Sequence, residues 1–359
     1  MTISSDTLNS LKGKRVLVTG STGFKGSWLC TWLVEIGAIV YGLALPPKLG
    51  APLFDQLQLG NRIDQHNGDI RNFSDIEDVI KQTRPEIIIH LAAQALVRRS
   101  YHNPKETFDT NIGGGINLLE AVRNSLDVKA LVFITSDKCY RNKEWIWGYR
   151  ENDEIGGPDP YSASKAAAEN VFEGYYQSFL SDKDQFGAVT ARAGNVIGGG
   201  DLSEDRIVPD CIRALRNENP IEVRNPLATR PWQHVLEPLS GYLTLAINIL
   251  KSPAETTGAW NFGPNTENVR PVIELAEMAT NIWGRGSVDI LQDILAPHES
   301  NLLMLSSDKA KSQLAWQPLW NFERCVSETI EWYRKTDAGN DPLELTLAQI
   351  SSYVSGSEN

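Results

Sequence analysis

The sequence predicts an α/β protein in which a doubly wound parallel sheet is followed by a smaller, mixed α/β carboxyl-terminal lobe. Three observations carry this expectation. Between Lys14 and about Phe133, short and wholly apolar β-branched runs alternate with longer helical stretches, as expected of buried parallel strands joined by helical crossovers. A glycine-rich turn separates the first of those runs from the first helix. Beyond about Gly198 the pattern changes to helical segments set between loops rich in proline and tryptophan. The expected division is residues 1–197, mainly the sheet domain, and residues 198–359, mainly a ligand-binding lobe, with some exchange of strands between them.

In chain order, RVLVTG reads as the first buried strand and SWLCTWLVEIG as a helix ending near Gly37. AIVYGLAL reads as the second strand. PEIIIHLAA and KALVFITS are again short and apolar, which suits central parallel strands. Between them, FDTNIGGGINLLEAVRNS takes on helical character after its glycines. DPYSASKAAAENVFEGYYQSF opens a helix with Pro160 near its start, where proline's missing N–H costs nothing. In the carboxyl half, RIVPDCIRALRN, LEPLSGYLTLAINIL, RPVIELAEMATNIWG and FERCVSETIEWYRK read as helices. There is no internal repeat and no low-complexity linker.

Composition narrows the function. The chain has 359 residues, 41% of them hydrophobic, which is ample for a core. A net charge of −11 argues against a general nucleic-acid or anionic-membrane surface, though it permits a local basic pocket. Cys30, Cys139, Cys211 and Cys325 are scattered, and the five histidines are equally dispersed, so no metal site is expected. The opening MTISSDTLNSLKGKR lacks a signal-peptide core and no run approaches a bilayer span. A soluble protein of a reducing compartment is expected.

The first strand runs into TGSTGFKGSWL, which places Gly20, Gly23 and Gly26 in GxxGxxG spacing. Glycine lets the backbone turn tightly and approach a pyrophosphate, while the following helix presents amide donors and a positive dipole end. Gly20, Thr22, Gly23, Phe24, Lys25 and Gly26 are therefore a candidate dinucleotide cradle, although a plain tight turn has the same composition. An acidic residue that would hold the adenosine ribose after the second strand is missing, since Gly37 to Pro52 contains no Asp or Glu. Lys48 could meet a 2′-phosphate there, or be only solvated. Asp69 in NGDIRN could contact the adenine side, or cap the FSDIEDVIKQ helix.

Farther on, Tyr161 and Lys165 lie four apart in YSASK and project from one helical face. An ammonium near a phenol favours the phenolate, which can accept a proton from a hydroxyl undergoing oxidation. The strand end ITSDKCY gathers Ser136, Asp137 and Lys138. A solvated strand end could carry the same residues.

Residues 12–335 resemble the extended short-chain dehydrogenase/reductase superfamily, through TGSTGFKG, GDI, HLAAQ, TNIGG, TSD, YSASK and RAGNVIGGGD. Within it, the chain is similar to the nucleotide-sugar 4,6-dehydratases. GFKGSWL, SDKCY, YSASK and the tail HESNLLMLSSDKA…LAWQP are similar to the branch that acts on CDP-glucose. The resemblance implies a Rossmann-type domain binding NAD, with Asp69, Ile70, Leu91, Ala92, Ala93, Tyr161 and Lys165 on the cofactor besides the glycine loop. It implies a hydro-lyase that converts CDP-D-glucose to CDP-4-keto-6-deoxy-D-glucose. Tyr161 would take the C4 hydroxyl proton as hydride leaves C4. The ketone acidifies C5, water is lost across C5 and C6, and hydride returns to C6. Oxidation requires Ser136, Tyr161 and Lys165; elimination requires a further acid and base.

On this resemblance Asp137 is the acid for the departing C6 hydroxyl and Lys138 the base at C5. Related dTDP-glucose dehydratases carry glutamate where this chain has Lys138, which leaves the C5 base open. Asn195 and Arg230 match positions on the nucleotide diphosphate, His298 and Glu299 are placed on the nucleotide side, and Arg98 faces either the sugar or solvent. The resemblance also implies a cytoplasmic homodimer or homotetramer that supplies deoxysugar for surface polysaccharide, as in O-antigen and lipopolysaccharide biosynthesis. No nucleic-acid or membrane partner is expected. A nucleotide-sugar 4-epimerase shares the fold and the Tyr–Lys pair, but has no need of Asp137 with Lys138. A non-catalytic dinucleotide sensor has no need of the full Ser136, Tyr161 and Lys165 set.

Overall fold

The computed structural model describes residues 4–47, 52–291 and 302–357. Its centre is one parallel sheet of β1 (Arg15–Thr19), β2 (Ile39–Ala44), β3 (Asp64–Asn67), β4 (Ile87–His90), β5 (Ala130–Ile134), β6 (Gly187–Ala193) and β7 (Gly258–Phe262). The spatial order is β7-β6-β5-β4-β1-β2-β3. Strand order reverses between β1 and β4, whose register runs from Val16 beside Ile87 to Thr19 beside His90. In such sheets the crevice at the carboxyl ends beside that switch point is where ligands bind.

The apolar runs are explained by burial on both faces. Alternate residues of a strand point to opposite sides, and here both sides are covered. Val16, Val18, Ile87, Ile89, Ala130, Val132, Val189 and Ala191 join one core. It includes the helices Phe24–Ile36, Leu236–Lys251 and Phe322–Asp337. Leu17, Ile88, Leu131, Phe133 and Ala188 join the other core, under the helices Phe73–Thr83, Gly114–Asn124 and Pro160–Tyr175.

Local signals fix the ends of the two helices that flank the crevice. The Phe24–Ile36 helix ends on Gly37 in the left-handed conformation (φ 86°). The Pro160–Tyr175 helix starts with Asp159, whose side chain accepts the Ser162 amide, and has proline in its first turn.

The carboxyl half does not stand apart from the sheet. β7 adds in parallel to β6, with Gly258 beside Val189 and Phe262 beside Ala193. The Leu236–Lys251 helix is buried along nearly its whole length. Among the described residues the rest adds further helices and three small two-stranded units: Val196–Ile197 with Gln233–His234, Thr229–Pro231 with Val269–Pro271, and Ile221–Val223 with Val288–Ile290. No helix among the described residues is long and apolar enough to cross a membrane.

Candidate active site

Three segments leave the carboxyl ends of adjacent strands at the switch point: the glycine turn after β1, Leu91–Ala93 after β4 and Thr135–Cys139 after β5. Gly20 has φ 74°, donates its N–H to the Leu43 carbonyl at 2.8 Å, and would place a Cβ 2.8 Å from the Ala92 nitrogen. A Cβ on Gly26 would come 2.1 Å from the Gly20 carbonyl oxygen. Only glycine allows the turn and the helix to pack this closely, leaving the amino terminus of the Phe24–Ile36 helix, capped by Gly23, open over the crevice. This cradle fits a dinucleotide pyrophosphate. The Thr22 hydroxyl donates to the Leu45 carbonyl at 3.0 Å and so braces the loop against the end of β2.

Leu91, Ala92 and Ala93 are half-buried beside that turn, and the Ala92 amide donates to Thr19 Oγ1 at 3.2 Å. Gln94 then links this loop to the Tyr–Lys helix. Its amide donates to Asn111 Oδ1 at 2.8 Å, and Asn111 Nδ2 donates to Ser164 Oγ at 2.8 Å.

The turn after β5 and the Pro160–Tyr175 helix meet in a buried cluster. Ser136, Asp137, Tyr161 and Lys165 are each under a tenth exposed, and Lys138 is half-buried. Ser136 Oγ donates to Asp137 Oδ1 at 2.9 Å, accepts the Lys138 amide at 3.2 Å, and lies within hydrogen-bond reach of the Tyr161 phenol. Burial pushes the Asp137 carboxyl above its ordinary range, against the pull of Lys138, the Ser136 hydroxyl and Lys25. Burial likewise raises Tyr161 to about 12, while Ser136 and Arg206 favour its ionised form. Lys165 is lowered to about 8 by loss of hydration, with Glu169 and Cys139 opposing.

Two cations take parts that the sequence did not suggest. Lys25, half-buried overall but with its ammonium deep in the protein, is lowered to about 8. Loss of hydration is the main cause, and it also feels Arg206, Asp137, Lys165 and Asp201. It therefore lies within the fields of Asp137 and Lys165. Arg206 donates to Asp201 at 3.0 Å, and its field favours the Tyr161 phenolate. A lone arginine at the entry of the Ile207–Arg216 helix carries no sequence signal for such a role.

Other predicted residues fall at varying distances from this cluster. Asp69 is half-buried and engaged by Arg71, whose Nε lies 2.9 Å from Oδ2, and Arg71 holds its carboxyl below the usual range. Asn72, not Asp69, occupies the helix-cap position. Ile70 is buried, and its carbonyl accepts from Asn117 at 2.9 Å. Arg98 forms an ion pair with Asp205 at 3.0 Å, bridging to the second lobe. Asn195 accepts the Gln233 amide on its carbonyl at 3.3 Å. Its neighbour Gly194 sits against Asp137, where a Cβ would come 2.9 Å from Oδ2 and 3.6 Å from Pro231. Asn195 thus follows directly on the residue packed against Asp137, and Arg230 is half-buried and donates to the Thr229 carbonyl at 2.9 Å. Lys48, His298 and Glu299 lie outside the described residues.

A dinucleotide cradle beside a buried Ser–Tyr–Lys set defines a dinucleotide-dependent enzyme acting on a hydroxyl. Comparison with known proteins narrows this class. Residues 17–329 match the family model described as GDP-mannose 4,6 dehydratase, and the chain belongs to that family. It is 44% identical over 351 residues to CDP-glucose 4,6-dehydratase from Salmonella typhimurium, covering 97% of this chain and 98% of that protein. It is 26% identical over 347 residues to CDP-paratose 2-epimerase from Salmonella typhi, covering 89% and 98%. Among solved structures, dTDP-glucose 4,6-dehydratase from Bacillus anthracis in complex with NAD superposes with a TM-score of 0.74 at 22% identity, covering 92% of this chain and 99% of that one. The likeness in fold extends to an epimerase from Methanothermobacter thermautotrophicus, with a TM-score of 0.78 at 23% identity and coverage of 93% and 96%.

Proposed function

We propose that this chain is an NAD-dependent hydro-lyase that converts CDP-D-glucose to CDP-4-keto-6-deoxy-D-glucose. The observation that carries the reading is the buried carboxyl of Asp137, one residue from the Ser136 that touches Tyr161. Oxidation of a sugar hydroxyl requires only the serine, tyrosine and lysine. A raised-pKa carboxyl beside them adds a proton donor, which elimination of water needs and C4 epimerisation does not. Identity of 44% along nearly the whole chain to a CDP-glucose 4,6-dehydratase supports the same substrate.

The chemistry that NAD supplies when bound is reversible hydride transfer, and the glycine cradle with Tyr161 and Lys165 would hold it. Tyr161 accepts the C4 hydroxyl proton, helped by the Ser136 hydroxyl. Asp137 delivers its proton to the departing C6 hydroxyl, and Lys138 takes the C5 proton. The second lobe, through Asn195 and Arg230, holds the diphosphate, for which a planar guanidinium is well shaped.

The same reading makes the protein a cytoplasmic homo-oligomer that supplies deoxysugar for surface polysaccharide. Exposed Tyr101, Phe108 and Phe179 lie on helical segments beside the Tyr–Lys helix and suit a second copy of the chain. A monomer by light scattering at micromolar concentration would count against that assembly. The function is tested by incubating the protein with CDP-glucose and NAD. A 4-keto-6-deoxy product supports it, an epimerised sugar favours an epimerase, and unchanged substrate favours a sensor.

A further inference from the structure

We propose that Glu169 is the positioning residue of the catalytic centre, clamping both ends of the Ser136–Cys139 turn to the helix that carries Tyr161 and Lys165. The inference rests on the function proposed above. Glu169 follows Lys165 by four residues, so the two share a helical face. Its carboxylate is 5% exposed and accepts four hydrogen bonds. Thr135 Oγ1 and Arg192 Nε donate to Oε1, the latter at 2.9 Å. Thr190 Oγ1 and Arg192 Nη2 donate to Oε2, each at 2.8 Å. Every lone-pair direction of the carboxylate is used.

These partners are placed at the two ends of the catalytic turn. Thr135 immediately precedes Ser136. Tyr140 immediately follows Cys139, and its phenol accepts Arg192 Nη1 at 2.6 Å and donates to Asn261 Oδ1 at 2.9 Å. The Arg192 guanidinium also lies 4.9 Å from the centre of the Tyr140 ring. A single ion pair therefore ties the entry of the turn, its exit and the Tyr–Lys helix to β6. Burial pushes the Glu169 carboxyl up, but Arg192 and the two threonine hydroxyls outweigh it and keep the group below its usual range.

A buried ion pair adds little net stability compared with an apolar replacement of the same volume, so its value here lies in fixing geometry. It also bears on charge. Glu169 is the carboxylate that favours the Lys165 ammonium, with Cys139 facing it from the turn. Lys25 from the glycine loop and His90 from β4 are the other titratable groups within its field.

The test compares wild type with Glu169→Gln, with the apolar double replacement Glu169→Leu and Arg192→Met, and with Thr135→Val, all with NAD and CDP-glucose. Each is measured for thermal midpoint, kcat, KM and pH profile, and the Lys165 ammonium is titrated by NMR in cofactor-free protein. A displacement of about 1 Å at the reacting groups predicts a kcat lower by about 100-fold in the double variant and about 10-fold in Thr135→Val, with KM within about threefold. Loss of the Glu169 charge moves the Lys165 titration, and the alkaline limb of kcat, down by about one pH unit. A folded double variant with wild-type kcat and pH profile overturns the proposal. If that variant does not fold, Thr135→Val at wild-type kcat overturns it instead. Wild-type protein inactive on CDP-glucose would refute the proposed function, and an unmoved Lys165 titration in Glu169→Gln would then refute the clamp separately.

Discussion

Replacing Asp137 with Asn separates the two halves of the proposed reaction. The asparagine has the same shape and keeps an acceptor for Ser136 Oγ, which now lies 2.9 Å from Asp137 Oδ1, so the turn is expected to stay in place. What disappears is the proton. A positioned general acid contributes about 10²–10⁴ in rate, or roughly 3–5.5 kcal/mol. Asp137 is 5% exposed, leaving little room for water to substitute, so the loss should fall in the upper part of that range. Tyr161, Ser136 and Lys165 are untouched, and oxidation at C4 should survive. In single-turnover mixing with CDP-glucose, the variant should therefore show the absorbance of reduced nicotinamide rising at near the wild-type rate and persisting, with dehydrated product formed at least about 1,000-fold more slowly. Product release at the wild-type rate would show that Asp137 is not the acid.

Lys138→Met should still reduce NAD but cease to exchange the C5 hydrogen with solvent deuterium; wild-type exchange and product rates would remove Lys138 from the role of base. With no Asp or Glu between Gly37 and Pro52 to meet the adenosine ribose, NAD should bind with one or two fewer charge-assisted hydrogen bonds of about 1.5–3 kcal/mol each. Exhaustive dialysis should therefore abolish activity until NAD, and not NADP, is returned, and full activity without added NAD would contradict this. Glu237 is fully buried, accepts from the Leu319 and Trp320 amides and the Tyr353 phenol, and is raised by burial from 4.5 to about 7. A carboxyl raised in the folded state stabilises fully below its unfolded value and loses that contribution as pH rises through its folded one. Between about pH 4.5 and 8, wild type should thus lose about 3 kcal/mol relative to Glu237→Gln, read as diverging denaturant midpoints; parallel curves would refute the assignment.

Legibility in the sequence followed how local each cause was. β1, β4 and β5 carry apolar runs because both faces are covered, and the glycine turn, the proline-started helix and Tyr161 with Lys165 are set by a few neighbouring residues. β3, DQHN, carries no apolar run because it is the polar edge of the sheet and pairs only with β2. β7 was hidden because its partner β6 lies some 65 residues earlier in the chain. The chain is helical before its glycines as well as after them, a π-type turn over Asp109–Gly113 running straight into the Gly114–Asn124 helix, and a Cβ at Gly114 would come 2.5 Å from Ile70. Close approach outweighed helix propensity there. At the site, Ser136, Asp137 and Lys138 announced themselves as three polar residues ending an apolar run. Arg206 and Glu169 did not, because a charge in a loop or in the fourth turn position of a helix looks the same whether it faces solvent or a buried partner.

The most direct test of the proposed function is a single incubation of the wild-type protein with CDP-glucose and NAD in deuterated water, with the sugar nucleotide followed by NMR and mass spectrometry. The expected result is a CDP-4-keto-6-deoxy sugar with deuterium at C5, the C4 hydrogen transferred to C6, and no net accumulation of reduced nicotinamide. A C4 epimer without loss of water, or unchanged CDP-glucose, would contradict it.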